Sequence, residues 1–573
     1  MKQRIVDAAW GGWALGLVAL VVYGALASPY IVDGDNAEFS TLAALGGRAH
    51  PSGYPLYVMW LRLWSWLPGS SAAHTAALAT AVLGALAIVA LHAACRAWGA
   101  RPLAATIAVG LVAAAPIVLR YHVEAEAFAM NHLAAALVLW LAAERGPARG
   151  AWRGAALGLV AGLGLSDHLT CALLAPVGVL GVVRAARESR PATYALAIAG
   201  LCAGLLPYAY LWVADGPAAW GTMSGAGDLI GFVLRRDFGG AGSFEGAGHA
   251  AVPWTASVIA CGATILRAWL WLPALAGLAL LGARIARPAG ETRWAWALLA
   301  ITIVLAGPVL ASRFDVDPAQ PIGRYVCQRF HLLPALLLAL PVAAAVELAL
   351  ARAAVVREAL ATGAALAGFV VLALAGAPGL ARVHSPAMQR NIDGALTMLP
   401  AGAILVVTDD DHCFGGRYLQ LTQLRRPDVS LICSGLVSLR WYRERFAGLA
   451  IPPTTGPSLA AALLATGRPL YVDMSLTRVL AAYPSYPVGV MLRVLPAGAP
   501  LPSAAEIAAL DRDVFRAFDL DYPRPTPDDE YAALAHHRYA AAWAAIARRL
   551  DASGDRAAAK DAFDLTRALQ PEW

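Results

Sequence analysis

The residues best suited to chemistry gather in one stretch, Asp33-Gly34-Asp35-Asn36-Ala37-Glu38-Phe39, followed by His50-Pro51-Ser52-Gly53-Tyr54-Pro55-Leu56-Tyr57. Carboxylates this dense suit a general base, a metal ligand or an acceptor for sugar hydroxyls. If residues 36–45 form a short helix, Asp35 stands at its N-cap and Glu38 lies one turn on, so the two carboxylates can converge. The same spacing also serves a purely structural end, with Asp35 capping the helix and Glu38 completing a capping box.

A second group, Glu124, Glu126, Asp167 and His168, falls at the ends of apolar runs. Ionisable groups at such depth point to function by default, with helix-end solvation as the competing account. His122 and His132 bracket Glu124 and Glu126, and together with Asp33 and Asp35 they make a divalent metal conceivable. The spacing follows no specific metal pattern, so a metal is not favoured and no cofactor is expected. Asp409-Asp410-Asp411-His412 follows a β-rich run and reads as a polar turn at a strand end in preference to a second site.

These groups need a scaffold, and the composition says which kind. Of 573 residues, 59% are hydrophobic and only 14% charged. Soluble domains carry about a quarter charged residues, so the chain reads as an α-helical polytopic membrane protein with a smaller soluble part. The net charge is +6, but its Arg residues sit in short blocks between apolar runs, as orientation signals do. Nucleic acid is therefore not an expected partner; membrane lipid is. A bilayer core about 30 Å thick needs roughly 20 apolar helical residues, which selects about eleven spans. They fall near residues 10–27, 76–94, 102–119, 128–143, 152–165, 169–183, 194–213, 252–281, 294–310, 330–350 and 360–376. The first run is long for the apolar region of a signal peptide and reads as an uncleaved helix. Residues 54–67, with Trp60, Trp64 and Trp66, are apolar but only long enough for a helix lying in the interface.

Lys and Arg are retained on the cytoplasmic side, and alternate loops separate by charge. One set holds Arg96 and Arg101, then Arg145, Arg149 and Arg153, then Arg184, Arg187 and Arg190, then Arg284, Arg287 and Arg293, then Arg352 and Arg357. The other holds nearly all loop carboxylates: Asp33, Asp35, Glu38, Glu124, Glu126, Asp167, Asp215, Asp228, Asp237, Glu245, Asp315 and Asp317. The expected topology is thus a cytoplasmic N-terminus, outward-facing carboxylates, and everything after residue 376 outside.

The expected domains are a transmembrane part at 1–378, an extracytoplasmic α/β domain at 379–500 and a helical C-terminal segment at 501–573. Runs at 403–408, 429–433 and 469–473 read as strands, with a helix around 418–424. Residues 530–570, broken at Gly554, read as a helical hairpin of tetratricopeptide type. One such hairpin cannot bury its own face and must pack on the α/β part or on a partner. Cys413 and Cys433 lie in the soluble part, where a disulfide is possible, whereas Cys95, Cys171, Cys202, Cys261 and Cys327 read as small hydrophobes.

The string from Gly34-Asp35 to Glu38, with His50-Pro51 and Gly53-Tyr54-Pro55-Leu56, resembles the first loop of a domain family that includes a eukaryotic multi-pass protein O-mannosyltransferase. Further matches follow in order: Glu124-Ala125-Glu126-Ala127-Phe128; Gly162-Leu163-Gly164-Leu165-Ser166-Asp167-His168-Leu169-Thr170; Pro207-Tyr208 with Trp220-Gly221 and Arg235-Arg236; and Leu399-Pro400 through Arg426-Pro427-Asp428-Val429. Asp167 stands where the family often has Asn or a small polar residue, and Phe128 where Tyr is usual. The family is similar to the GT-C glycosyltransferases. That resemblance implies many transmembrane helices, a polyprenyl-phosphate-linked sugar donor and a first-loop carboxylate as catalytic base. Carried onto this chain, Asp35 is the first candidate for the base, Asp33 the second, and Glu38 a supporting acceptor.

The expected activity is transfer of a mannose-like hexose to a hydroxyl of a protein or envelope glycan, on the outer face of a plasma (inner) membrane. His50, Tyr54, Glu124, Glu126, Asp167 and His168 are candidates for binding substrate. Arg235, Arg236, Arg324 and Arg329 are candidates for stabilising the leaving phosphate. Their structural alternative is interfacial snorkelling, or pairing with Asp237, Asp315 or Asp317. The rival readings are a transporter or flippase of lipid-linked sugars and a noncatalytic envelope scaffold.

Overall fold

The computed structural model describes residues 2–189, 192–238, 240, 252–287, 290–351, 355–476, 482–526 and 530–571; Arg190, Glu245 and Arg352 lie outside them. The chain divides into two compact units. One comprises Met1–Pro29, Gly46–Asp215 and Met223–Val383, and the other Tyr30–Leu45, Gly216–Thr222 and His384–Trp573.

The first unit is helical. Among the described residues six helices are long and apolar enough to cross a membrane: Ala72–Ala97, Leu169–Glu188, Ala192–Val213, Thr292–Val309, Pro321–Ala351 and Thr362–Thr397. The count rises to 8 if each of two bent pairs is one span, and Gly11–Ala25 and Phe128–Ala142 are shorter apolar helices. This is the make-up of a multi-pass membrane protein. The run at 102–119 divides into Pro102–Ala114 and Pro116–His122, bent by 71°. Pro116 explains the break, since proline lacks an N–H and biases the preceding residue away from helix. The run at 252–281 is not one straight helix either: Trp254–Ala268 and Leu272–Ala286 meet at 109°. Leu270 and Trp271 turn the corner with φ of 54° and 63°.

Helix Gly150–Asp167 owes its placement to glycine. Gly154, Gly158 and Gly162 present a bare face to helix Ala192–Gly204, and a Cβ on Gly158 would stand 2.0 Å from the Ala197 carbonyl oxygen. Small residues at this spacing let two helix backbones touch, the packing available where lipid removes the hydrophobic drive. The Ser166 hydroxyl completes the seam by donating to a backbone carbonyl, with Gly162 and Gly204 both 2.9 Å away. Asp167 is thereby fixed at the helix end. Helix Pro55–Leu63 has nine residues, about 14 Å at 1.5 Å per residue, too short to span.

The second unit is built on a five-stranded sheet of order β2-β1-β3-β5-β4. The strands are β1 (Ile404–Val407), β2 (Ser430–Cys433), β3 (Leu470–Asp473), β4 (Ser485–Val488) and β5 (Met491–Val494). β1 pairs in parallel with β2 and β3, while β5 runs antiparallel to β3 and β4. Every residue of β1 is buried, as a central parallel strand requires. Pro487 is tolerated because β4 is an edge. The hairpin Glu530–Ala552 and Arg556–Leu569 turns at Gly554 and packs on helix Ala504–Arg516. Ile507, Trp543, Ile546 and Leu550 lead its core, each large apolar side chain contributing roughly 1.5–3 kcal/mol on burial. The hairpin thus finds its partner face within this unit. The expected boundary at residue 378 falls inside helix Val355–Val383.

Candidate functional site

The carboxylate-rich first loop folds into the second unit. Asn36–Leu45 is the short helix expected, and the Asp35 carbonyl accepts from Phe39 N–H at 3.0 Å. Asn36 turns its Oδ1 back to Val32 N–H, 3.1 Å away, which shapes the turn holding Asp33. Asp35 is half-buried, whereas Asp33 and Glu38 are buried. Ile31 N–H donates to Gln389 Oε1 at 3.1 Å. The Ile31 side chain lies over Gly415, where a Cβ would meet Ile392 at 2.5 Å and Ile31 at 3.1 Å. Only glycine lets the first loop come so near.

The first-loop helix packs on the turn Asp411–Gly415 and on helix Gly416–Thr422, which follow β1. The polar turn expected at the strand end, Asp409 to His412, is packed inward, with Asp411 and His412 buried. His412 Nδ1 lies 3.0 and 3.1 Å from the two Asp409 oxygens. From the C-terminal hairpin, Arg538 Nη2 reaches Asp409 Oδ2 at 3.3 Å and Asp411 Oδ2 at 3.9 Å. Burial, then Asp409, push the Asp411 carboxyl well above the usual range; Arg538 opposes this and Asp33 adds to it. Burial alone would raise Asp409 too, but His412 and Arg538 hold it well below its ordinary value. Two neighbouring carboxylates are thus driven apart, one toward the neutral acid and one toward the anion. A disulfide between Cys413 and Cys433 ties this turn to the end of β2.

The segment Gly216–Thr222 joins the same unit through arginines. Arg417 donates to the Pro217 carbonyl at 2.6 Å, Arg445 donates to the Ala219 carbonyl, and the Trp220 ring sits 5.5 Å from Trp441 and 6.2 Å from Phe414. Glu38 lies within electrostatic range of Arg417.

In the first unit the other candidates converge on a chain of rings. His168 is central, with ring centroids 5.7 Å from Tyr54, 5.2 Å from Phe128 and 6.0 Å from Phe330, and His50 lies 5.1 Å from Tyr54. Thr170 fixes the imidazole, its Oγ1 2.7 Å from His168 Nδ1. Arg329 stands over Phe330 and Tyr325, and Arg120 over Tyr325 and Tyr121 at 5.0 and 5.6 Å. Cations on ring faces are attracted to the π quadrupole. Arg120 approaches Glu124 at 3.9 Å, one helical turn away. Glu124, Glu126 and Asp167 are all buried and within electrostatic range of Tyr57, whose hydroxyl is 2.7 Å from Thr80 Oγ1. Neither carboxylate oxygen of Asp167 has a hydrogen-bond partner among the described residues.

Of the four arginine candidates, Arg329 joins this cluster. Arg324 and Arg235 are half-buried, Arg235 at a positive φ of 57°, and Arg236 is exposed. His122 Nε2 and His132 Nδ1 lie 2.9 Å apart and bond to each other. No group of three or more possible metal ligands forms among the described residues.

Residues 35–191 match the family model of the protein O-mannosyl-transferase TMEM260 N-terminal domain. This bears out the family resemblance carried by the motifs. The match opens at Asp35 and takes in Glu38, His50, Tyr54, Glu124, Glu126, Asp167 and His168. A curated relative, protein O-mannosyl-transferase TMEM260 of Mus musculus, is 25% identical over 468 residues, covering 76% of this chain and 65% of the relative. A solved oligosaccharyltransferase of Archaeoglobus fulgidus, in complex with zinc and sulfate, superposes with a TM-score of 0.45 at 14% identity, covering 94% of this chain and 83% of that one.

Some site residues escaped sequence reading. Arg120 was signalled by its position four residues before Glu124, but it sat inside an apolar run. Tyr121 and Tyr325 resemble any interfacial aromatics. Arg538 had no local signal at all, because its partners are remote in sequence.

Proposed function

We propose that this chain is a membrane glycosyltransferase of GT-C type that moves a mannose-like hexose from a polyprenyl-phosphate carrier to a hydroxyl of a protein or envelope glycan on the extracytoplasmic face. The observation that carries this reading is the TMEM260 N-terminal match at 35–191, which encloses the first-loop helix and the buried carboxylates Glu124, Glu126 and Asp167.

The chemistry follows from the residues. As the acceptor oxygen attacks the anomeric carbon, its proton passes to a carboxylate and the bond to the lipid phosphate breaks. Asp35 is the proposed base, since it is half-exposed and can meet a substrate while its backbone is fixed by the helix it begins. Asp33 is the second choice, buried beside Asp411, and Glu38 is a supporting acceptor. The departing phosphate keeps its electron pair and gathers negative charge. Arg329 is assigned to meet it, with Arg120 beside it; Arg324, Arg235 and Arg236 are reserve candidates. His50, Tyr54, Glu124, Glu126, Asp167 and His168 would bind the sugar, rings against its apolar face and carboxylates against its hydroxyls. The transfer calls for no cofactor. The second unit is proposed to bind the acceptor, which its disulfide suits if that unit lies outside the cytoplasm.

The test is transfer by purified protein from a panel of radiolabelled polyprenyl-phosphate hexoses to an envelope extract, wild type beside Asp35→Asn. Transfer by wild type alone supports both reaction and base. Equal transfer by the variant removes Asp35 from the role, and failure of the wild type to transfer or to bind the lipid donor removes the enzyme reading.

A further inference from the structure

Away from these carboxylates, the first unit contains a groove of about 960 Å³. Its walls are mainly apolar, drawn from Trp13, from Leu86 and Val89 of helix Ala72–Ala97, and from Leu133, Leu137 and Trp140 of helix Phe128–Ala142, with the buried His92 as the polar exception. The spacing of Leu133, Leu137 and Trp140 sets all three on one face of their helix, and each is only half-buried. At one end stand Arg96, Arg101 and Arg145.

These three guanidiniums are not equivalent. Arg101 is spoken for: its Nε meets Glu347 Oε1 at 2.8 Å, and its backbone N–H meets Oε2 at 2.7 Å. Arg96 donates to the Ala100 carbonyl, but its Nε is buried with no hydrogen-bond partner among the described residues. Arg145 is exposed and close enough to repel Arg96. A buried donor without an acceptor is costly, and two cations held together are costly again. An anionic oxygen group placed between Arg96 and Arg145 relieves the repulsion between them. The mainly apolar walls leading away from that point suit a hydrocarbon remainder of the ligand.

We propose that this groove is a binding site for one anionic phospholipid of the surrounding bilayer, its phosphate at Arg96 and Arg145 and an acyl chain along the Leu133, Leu137 and Trp140 face. Charge complementarity selects the occupant: three guanidiniums share the single carboxylate of Glu347, and a zwitterionic headgroup would add a further cation. Basic pockets between transmembrane helices are suited to such headgroups. The site stands apart from the transfer reaction and does not rest on it.

Native mass spectrometry of the detergent-purified full chain, with phosphatidylglycerol, phosphatidylcholine or polyprenyl phosphate added singly and in competition, tests this. The expected result is one phosphatidylglycerol retained with at least tenfold preference over phosphatidylcholine. That preference should fall about tenfold in Arg96→Gln/Arg145→Gln and in Arg145→Glu. The second variant changes an exposed side chain and guards against a folding defect in the first. Equal retention of both phospholipids, or undiminished preference in Arg145→Glu, overturns the site. Displacement of phosphatidylglycerol by equimolar polyprenyl phosphate overturns the choice of occupant.

Discussion

Arg538, on the first helix of the C-terminal hairpin, holds its Nη2 3.3 Å from Asp409 Oδ2, and Asp409 in turn holds His412 at 3.0 Å. The hairpin is therefore wired to the same turn against which the first-loop helix packs. Removing the guanidinium would leave Asp409 held chiefly by His412 and take from Asp411 the cation that opposes its rise. Breaking one side of a buried pair costs about 3–5 kcal/mol, and this pair is partly exposed, so a loss near the lower end is expected. Arg538→Ala should lower the unfolding midpoint of the second unit by several degrees, whereas Arg538→Lys should recover only part, because an ammonium cannot fork toward two carboxylates. Thermal unfolding of the full chain in detergent measures both. An unchanged midpoint in Arg538→Ala would mean that the pair contributes nothing net.

A pH dependence follows from Asp511. Its side chain is buried, accepts from Gly489 N–H at 2.5 Å, and is pushed by burial up to about 7 in spite of that bond. The folded chain therefore holds a proton that the unfolded chain, titrating near the ordinary carboxylate value, releases sooner. A raised folded pKa stabilises fully below the unfolded pKa and is lost as pH rises through the folded one. The second unit should accordingly lose stability between about pH 4 and pH 7 from this group, then level off. Asp511→Asn keeps an oxygen for Gly489 and removes the titration. Midpoints recorded across pH 5 to 8 should slope downward more in wild type than in the variant, and parallel curves would remove Asp511 as the source.

How far all this was legible in the sequence depends on the range of the interaction involved. Length and apolarity sufficed for a multi-pass helical unit but not for its number of spans, about eleven against the six to 8 that are long and apolar enough among the described residues, and the β-branched runs at β1, β2 and β3 stood out. β4 and β5 did not: each has four residues, one carries Pro487, the other Arg493, and only their pairing beside β3 makes them strands. The corner at Leu270-Trp271 has two large apolar residues where a turn signal would hold glycine or proline, so it read as helix. For the site, residue types marked the first loop, and the short helix at Asn36–Leu45 fits the spacing of Asp35 and Glu38. That this helix folds with Asp411 and Arg538 depends on contacts across hundreds of residues, and local spacing carries no trace of those. Gly415 is the nearest thing to a signal, yet its reason becomes visible only once Ile31 and Ile392 lie against it.

Asp167 offers a sharper test of the proposed substrate recognition, because it departs from the residue often found there in the family this chain resembles. The glycine seam against helix Ala192–Gly204 fixes the helix that ends on it, and neither of its buried oxygens has a hydrogen-bond partner among the described residues. A sugar hydroxyl donating to this carboxyl group would meet that unfulfilled demand, and leaving a buried polar group unsatisfied costs about 1–3 kcal/mol. Asp167→Asn keeps the shape but replaces one acceptor oxygen with a donor, so the fold should survive. The predicted outcome is a fall in kcat/KM for the preferred hexose donor of roughly 10- to 100-fold, tenfold corresponding to about 1.4 kcal/mol. Binding of the bare polyprenyl phosphate should be unchanged, since the lipid carries no sugar to contact Asp167. If the bare lipid loses affinity in step with the donor, Asp167 acts on the architecture of the site and not on the sugar.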